Sequence, residues 1–165
     1  MTHLKSEPVR KRLKAHPKLR KFPIVGIGAS AGGLEAFTKL LSRLPSNTGM
    51  AFVLIQHLSP ERESLLPEIL AKITPMPVLE VKDGVLAEAN RVYVIPPNVT
   101  MGIKEGKLCL IPRGPDERPH LAIDFFFRSL ADDQKSDAIG IILSGTGSDG
   151  SEGLKAIKAA GGISF

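Results

Sequence analysis

At 165 residues, with 42% apolar and 24% charged side chains, the chain has the size of one domain with a full core and is short for two. Its single cysteine, Cys109, rules out an intrachain disulfide and a cysteine-rich zinc site, and no apolar run approaches the ~18 residues of a membrane span. The net charge of +5 is concentrated at one end: residues 1–21 hold Lys5, Arg10, Lys11, Arg12, Lys14, Lys18, Arg20 and Lys21 against Glu7 alone. That segment carries +7, which leaves the rest at −2, so the folded body is not a basic nucleic-acid-binding surface. With Pro8, Pro17 and no apolar period, residues 1–21 are expected to form a flexible arm, and the ordered domain to span 22–165.

In chain order, residues 22–27 predict a first strand, and the spacing of Leu34, Phe37, Leu40, Leu41 and Leu44 predicts a helix over 34–44 with one buried stripe. The unbroken apolar run 50–55 predicts a central parallel strand, 50–56, covered on both faces. Ser59-Pro60 has the form of a helix start, with Leu65, Leu66, Ile69 and Leu70 as its inward side. Short strands are expected at 78–81 and 91–95, with a turn at Asp83-Gly84. Residues 101–111 alternate about Glu105-Gly106 and predict an antiparallel hairpin. After a Pro-rich charged loop over 112–120 comes a helix over 123–130, with the Phe125-Phe126-Phe127 cluster assigned to the core and Arg128 to solvent. Residues 138–143 read as the clearest buried strand, 150–160 as a helix stopped by Gly161-Gly162, and 163–165 as the opening of a further strand. The alternation predicts an α/β fold: a doubly wound, mostly parallel sheet with helices on both faces and an antiparallel hairpin near one edge.

Three stretches directly follow predicted strands: Gly26-Ile27-Gly28-Ala29-Ser30-Ala31-Gly32-Gly33, Ile55-Gln56-His57, and Ser144-Gly145-Thr146-Gly147-Ser148-Asp149-Gly150. In a parallel sheet, catalytic groups gather beyond the carboxyl ends of the strands. A serine, a histidine and an aspartate delivered there are the parts of a nucleophilic hydrolase. Ser30 stands in a turn whose glycines 26, 28, 32 and 33 permit positive φ and close backbone approach, leaving N–H groups that can host negative charge. It is a nucleophile or, alternatively, the cap of the helix that follows. His57 stands at a strand mouth, where a general base must be; His3 and His120 are weaker candidates. Asp149, in a turn with Gly145, Gly147 and Gly150, either orients the imidazole or caps its helix and holds the turn. The rival reading is a dinucleotide site on Gly26-x-Gly28-x-x-Ala31, but the second strand ends in Gln56-His57, where that fingerprint wants an acid.

Taken together, the three stretches resemble the catalytic domain of CheB-type chemotaxis protein-glutamate methylesterase/glutaminases over residues 22–165. The resemblance assigns the nucleophile to Ser30, the base to His57 and the acid to Asp149. It assigns oxyanion and backbone support to Ala31, Thr146 and Gly147, and loop shaping to Gly28, Gly32, Gly33, Gly145 and Gly150. Ala31 stands where the family commonly has Thr, and Thr146 where it commonly has Met; a backbone donor survives either change. The implied activity is hydrolysis of glutamyl methyl esters, with glutamine deamidation by the same machinery, on the methylated cytoplasmic region of chemoreceptors. It needs no metal and no organic cofactor, and implies a cytoplasmic protein without nucleic-acid binding or membrane insertion. The segments Val94-Ile95-Pro96-Pro97-Asn98 and 123–130 resemble the subgroup fused to a CheR-type methyltransferase, so a linked or associated methyltransferase is a further expected partner. No receiver domain is expected ahead of residue 22, and the domain is expected to be truncated at its C-terminal end. The alternative is a catalytically inactive receptor-binding or regulatory module.

Overall fold

The computed structural model describes residues 22–30, 32–56, 65–114, 121–144 and 147–165. The expected arm at 1–21, the helix start at Ser59 and most of the 112–120 loop lie outside them. Among the described residues no helix is long and apolar enough to cross a membrane.

The chain forms strand β1 (Ile24–Ala29), helix α1 (Gly33–Leu41), β2 (Ala51–Gln56), α2 (Leu66–Ala71), β3 (Val78–Glu80), β4 (Val85–Leu86) and β5 (Arg91–Val94). Then follow β6 (Val99–Lys104), β7 (Lys107–Pro112), α3 (Ala122–Gln134), a single 3-10 turn (Lys135–Asp137), β8 (Ala138–Ser144), α4 (Ser151–Ala159) and β9 (Ile163–Ser164). Six strands make one sheet in the order β3-β5-β2-β1-β8-β9, and every pair in it is parallel. The expected hairpin, β6 and β7, joins β4 in a small antiparallel sheet of its own. Its turn uses positive φ at both Glu105 (52°) and Gly106 (73°), the twist that suits a two-residue hairpin.

Each face of the main sheet is covered by its own core. On one face Val25, Ile27, Leu54 and Val94 pack under Phe37 and Leu41 of α1 and Leu66 and Leu70 of α2. On the other, Ile24, Val53, Ile55 and Tyr93 meet Ile123, Phe126, Phe127 and Leu130 of α3, Ile157 of α4, and Met101, Ile103 and Leu108 of the small sheet. Burial on both faces explains why β1 and β2 read as continuous apolar runs rather than alternating ones. Helix α3 is thus sandwiched between two sheets, tied to β6 where the Ile103 N–H donates to Ser129 Oγ at 3.0 Å.

Several sequence-based expectations shift in detail. Of the proposed inward residues of α2, Leu66 and Leu70 are buried, one helical turn apart, whereas Leu65 is 67% exposed and Ile69 lies on the solvent side. Leu65 precedes the helix as its N-cap, so it never joins the stripe. Phe126 and Phe127 are in the core, but Phe125 is 43% exposed, about 100° round the helix from Phe126. Strand β8 is less enclosed than its apolar run suggests: Ile139, Ile141, Ile142 and Leu143 are only half-buried, because its outer neighbour β9 is two residues long.

Glycines in β1 serve close approach. A Cβ on Gly28 would stand 2.5 Å from Ile123 Cγ2, and one on Gly26 would stand 2.9 Å from Phe127. Neither residue has positive φ; of the four glycines in the first glycine-rich stretch only Gly32 does, at 80°. The side chains of α3 therefore rest directly on the β1 backbone. Substituting Gly28→Ala is expected to cost about 1–3 kcal/mol through overpacking, and Ile123→Val in the same chain to recover part of it. Urea unfolding of the single and double variants checks this; an unchanged midpoint for Gly28→Ala would contradict the packing.

Candidate active site

Strand order reverses at β1. The chain builds outward from β1 through β2 on one side, then returns to place β8 on the other. The crevice beyond the carboxyl ends of β1 and β8 is therefore the topological switch point, where open parallel sheets bind ligands. A cavity of about 210 Å³, lined by Phe22, Ile24, Leu86 and Asp137 among others, is at the opposite end, where β1 and β8 begin. Topology favours the switch point as the chemical site.

Ser30 is the first residue past β1 and is half-buried. Its carbonyl accepts a hydrogen bond from the Gly33 N–H at 3.0 Å, closing a tight turn into α1. The N-cap of α1 is Gly32, in the left-handed region, which has no side chain to cap with. Ser30 therefore does not serve as that cap. The start of α1 presses down on the strand ends: a Cβ on Gly33 would stand 3.1 Å from both Ala29 Cβ and Gln56 Nε2.

Strand β2 ends at Gln56, which pairs in register with Ala29. His57, the next residue, lies outside the described residues, as do Ala31, Gly145 and Thr146. Gly147 is exposed, and a Cβ there would meet nothing within 4 Å.

On the other side of β1 the register slips. Gly28 pairs with Ile142 but Ala29 with Ser144, so Leu143 is left over as a bulge at the end of β8. Bulges recur beside active sites, where the extra residue re-aims the chain. Five residues past Ser144, Asp149 is half-buried and precedes Gly150, the N-cap of α4, whose φ of 100° suits glycine. The carboxylate of Asp149 is a helix cap, but not for the helix it precedes. Its Oδ2 accepts from the Ile123 N–H at 3.0 Å and its Oδ1 from the Asp124 N–H at 2.9 Å, both in the first turn of α3. The N-cap position of α3 is Leu121, which cannot supply an acceptor from its side chain. The amides at the start of α3 have no acceptor within their own helix, and the carboxylate supplies one. Each oxygen still has a second lone-pair direction, so two amides do not exhaust what an ionised carboxylate can accept.

Asp124 returns the contact. Its side chain, only 4% exposed, accepts from the Gly153 N–H in the first turn of α4 at 2.6 Å. Helices α3 and α4 thus cap each other through Asp149 and Asp124. Sequence reasoning passed over Asp124; the signal was an acid within the apolar stripe of α3, one residue after Ile123 and three before Phe127. Among the described residues no three His, Cys, Asp or Glu side chains converge as metal ligands would.

The family model of the CheB methylesterase matches residues 25–165. The chain belongs to the CheB methylesterase family. It is 36% identical over 140 residues to the protein-glutamate methylesterase/protein-glutamine glutaminase 2 of Burkholderia pseudomallei, covering 84% of this chain and 41% of that protein. A putative protein-glutamate methylesterase/protein-glutamine glutaminase of Leptospira interrogans is 32% identical over 145 residues, covering 86% of this chain and 74% of that one. The chain spans about two-fifths of the length of the Burkholderia relatives. Its fold matches the crystal structure of the Thermotoga maritima CheB methylesterase catalytic domain with a TM-score of 0.77 at 30% identity, over 87% of this chain and 78% of that one. The CheB fold is therefore the doubly wound one expected from the alternation of elements.

Because Asp149 holds two amides of α3, Asp149→Ala is expected to destabilise the CheB domain by about 1–2 kcal/mol, and Asp149→Asn, which keeps one acceptor oxygen, by less. Chemical denaturation of the three proteins gives the order; wild-type stability in Asp149→Ala would contradict the cap.

Proposed function

We propose that the chain is a serine hydrolase acting on glutamyl methyl esters, and on glutamine side chains, of methylated chemoreceptors, with Ser30 as nucleophile, His57 as base and Asp149 as orienting acid. The observation that carries this reading is the strand register. Three neighbouring strands, β2, β1 and β8, lead into His57, Ser30 and the turn bearing Asp149. Continuing the β1–β2 register by one step would set residue 57 beside residue 30, at the ~4.8 Å spacing of adjacent strands. Ser30 is not the N-cap of α1, and the Asp149 carboxylate is held by two amides of α3. The relatives named above carry the corresponding activity in their names.

In this reading His57 removes the proton from Ser30 Oγ, which attacks the ester carbonyl carbon. The tetrahedral oxyanion is held by backbone N–H groups near Ala31, Thr146 and Gly147, a contribution of about 10²–10³ in rate per donor. Asp149 accepts the other imidazole N–H, fixes the tautomer and balances the imidazolium. Collapse breaks the C–O bond, and the imidazolium protonates methoxide to give methanol; from glutamine the leaving group is ammonia. Water, deprotonated by His57, then attacks the acyl-enzyme and frees the glutamate carboxylate and Ser30. Gly28, Gly32, Gly33, Gly145 and Gly150 shape the loops. The proposal includes a cytoplasmic location, residues 1–21 as a basic arm outside the catalytic domain, and a linked or associated methyltransferase.

Ser30→Ala is expected to lower methanol release from a methylated receptor peptide by at least about 10⁴-fold. A fluorophosphonate should label wild-type protein at Ser30 and leave Ser30→Ala unlabelled. Equal hydrolysis by the two proteins would overturn the serine mechanism, and an unlabelled, inactive wild type would favour a binding module.

A further inference from the structure

Asp124 is bonded to the Asp149 segment at two points. Its backbone N–H donates to Asp149 Oδ1 at 2.9 Å, and its side chain accepts from the Gly153 N–H, four residues further on, at 2.6 Å. The span 149–153 is therefore closed into a ring through one residue of α3. The closure leaves little slack: a Cβ on Gly153 would stand 2.5 Å from Phe127 Cβ and 3.2 Å from the Asp124 backbone. Asp124 is also one of three polar or charged residues in the buried set of described residues, with Thr74 and Thr100. A buried carboxylate is costly unless hydrogen-bonded, and this one is spent on a single amide at the base of the Asp149 turn.

We propose that Asp124 is a positioning residue for the hydrolase: through Gly153 it pins the start of α4, and so holds the Asp149 carboxylate at the angle from which it orients His57. The proposal rests on the Ser30–His57–Asp149 reading above. Asp124 touches no substrate atom in it. Its own carboxylate is bonded to α4, while the Asp149 carboxylate is held at the start of α3. Removing the Asp124 side chain leaves the Gly153 amide without its acceptor in a buried setting, so the first turn of α4 shifts to find another partner. Asp149, four residues away in the same rigid turn, shifts with it. A displacement of about 1 Å in a catalytic constellation costs on the order of 10²-fold in rate.

The test measures methyl-ester hydrolysis and the pH dependence of Ser30 phosphonylation in Asp124→Ala, Asp124→Asn and Asp124→Glu, with Asp149→Ala alongside. Asp124→Ala is expected to lower kcat by about 10²-fold with little change in KM. It should also move the acidic limb of the phosphonylation profile to lower pH, because an imidazolium that loses its aligned carboxylate gives up its proton more readily. Asp124→Asn, whose carboxamide oxygen can still accept from the Gly153 N–H, should recover most of the rate and return the limb toward its wild-type position. If Asp124→Ala does not fold, Asp124→Glu carries the test: one methylene longer, it keeps the charge but displaces the turn, and should show the same pair of changes. A role confined to stability would lower the unfolding midpoint while leaving kcat and the pH limb of the folded protein unaltered, and that result overturns the proposal. Full activity in Asp149→Ala would instead remove the relay itself; impaired Asp149→Ala beside unimpaired Asp124→Ala and Asp124→Glu would remove only the part assigned to Asp124.

Discussion

Two carboxylates that exchange helix ends are the constraint on which the candidate site depends. Helix α3 begins at Leu121 without a capping side chain of its own, and α4 begins at Gly150 without one either. Each helix takes its acceptor from the other: Asp149 serves Ile123 and Asp124, and Asp124 serves Gly153. Unsatisfied amides at a buried helix start cost more than a typical hydrogen bond contributes, so the pair fixes how the two helices meet. The close approach that this requires is met by Gly153, where a side chain would strike Phe127. The acid proposed for the relay is thereby positioned by the same bonds that assemble the domain.

The second element is the sheet. Being parallel throughout, it sends all its carboxyl ends to one edge, and the reversal of strand order at β1 opens a crevice there. Gly26 and Gly28 let α3 lie directly on β1, so Ile123 contacts the strand that leads into Ser30 while its own amide holds Asp149. Ile123 thus links the serine side of the crevice to the aspartate side through one residue. The bulge at Leu143 delivers the chain from β8 into the Asp149 turn one residue out of the regular register. These contacts hold the domain together and, in the proposed mechanism, also set the site, so changes at Ile123, Gly28 or Gly153 are expected to affect both together.

Much of this was legible from residue pattern. The unbroken apolar run before Gln56 indicated a central parallel strand, the alternation about Glu105-Gly106 indicated a hairpin, and the glycines before Ser30 marked a strand-to-helix turn. Less visible was anything set by a distant partner. That Asp149 caps α3, 26 residues back, rather than its own helix depends on tertiary packing that local spacing does not encode. Leu65 and Phe125 carry apolar side chains that the periodic reading drew inward, yet Leu65 precedes α2 as its N-cap and Phe125 faces out from α3. The glycines of β1 were read as permitting positive φ and close backbone approach; Gly26 and Gly28 serve the second alone, making room for α3. Asp124 was passed over because a lone acid in the first turn of a helix is ordinary, and only its burial gives it meaning.

The central claim is that the Asp149 carboxylate, while holding the start of α3, also faces the imidazole that serves Ser30. A crystal structure of the protein with a phosphonate bonded to Ser30 Oγ tests it most directly. The account predicts His57 with one ring nitrogen within hydrogen-bond distance of the Ser30 adduct and the other donating to Asp149, whose bonds to the Ile123 and Asp124 amides remain in place. A Ser30 adduct with His57 turned away, or with Asp149 bonded to α3 alone, would contradict it.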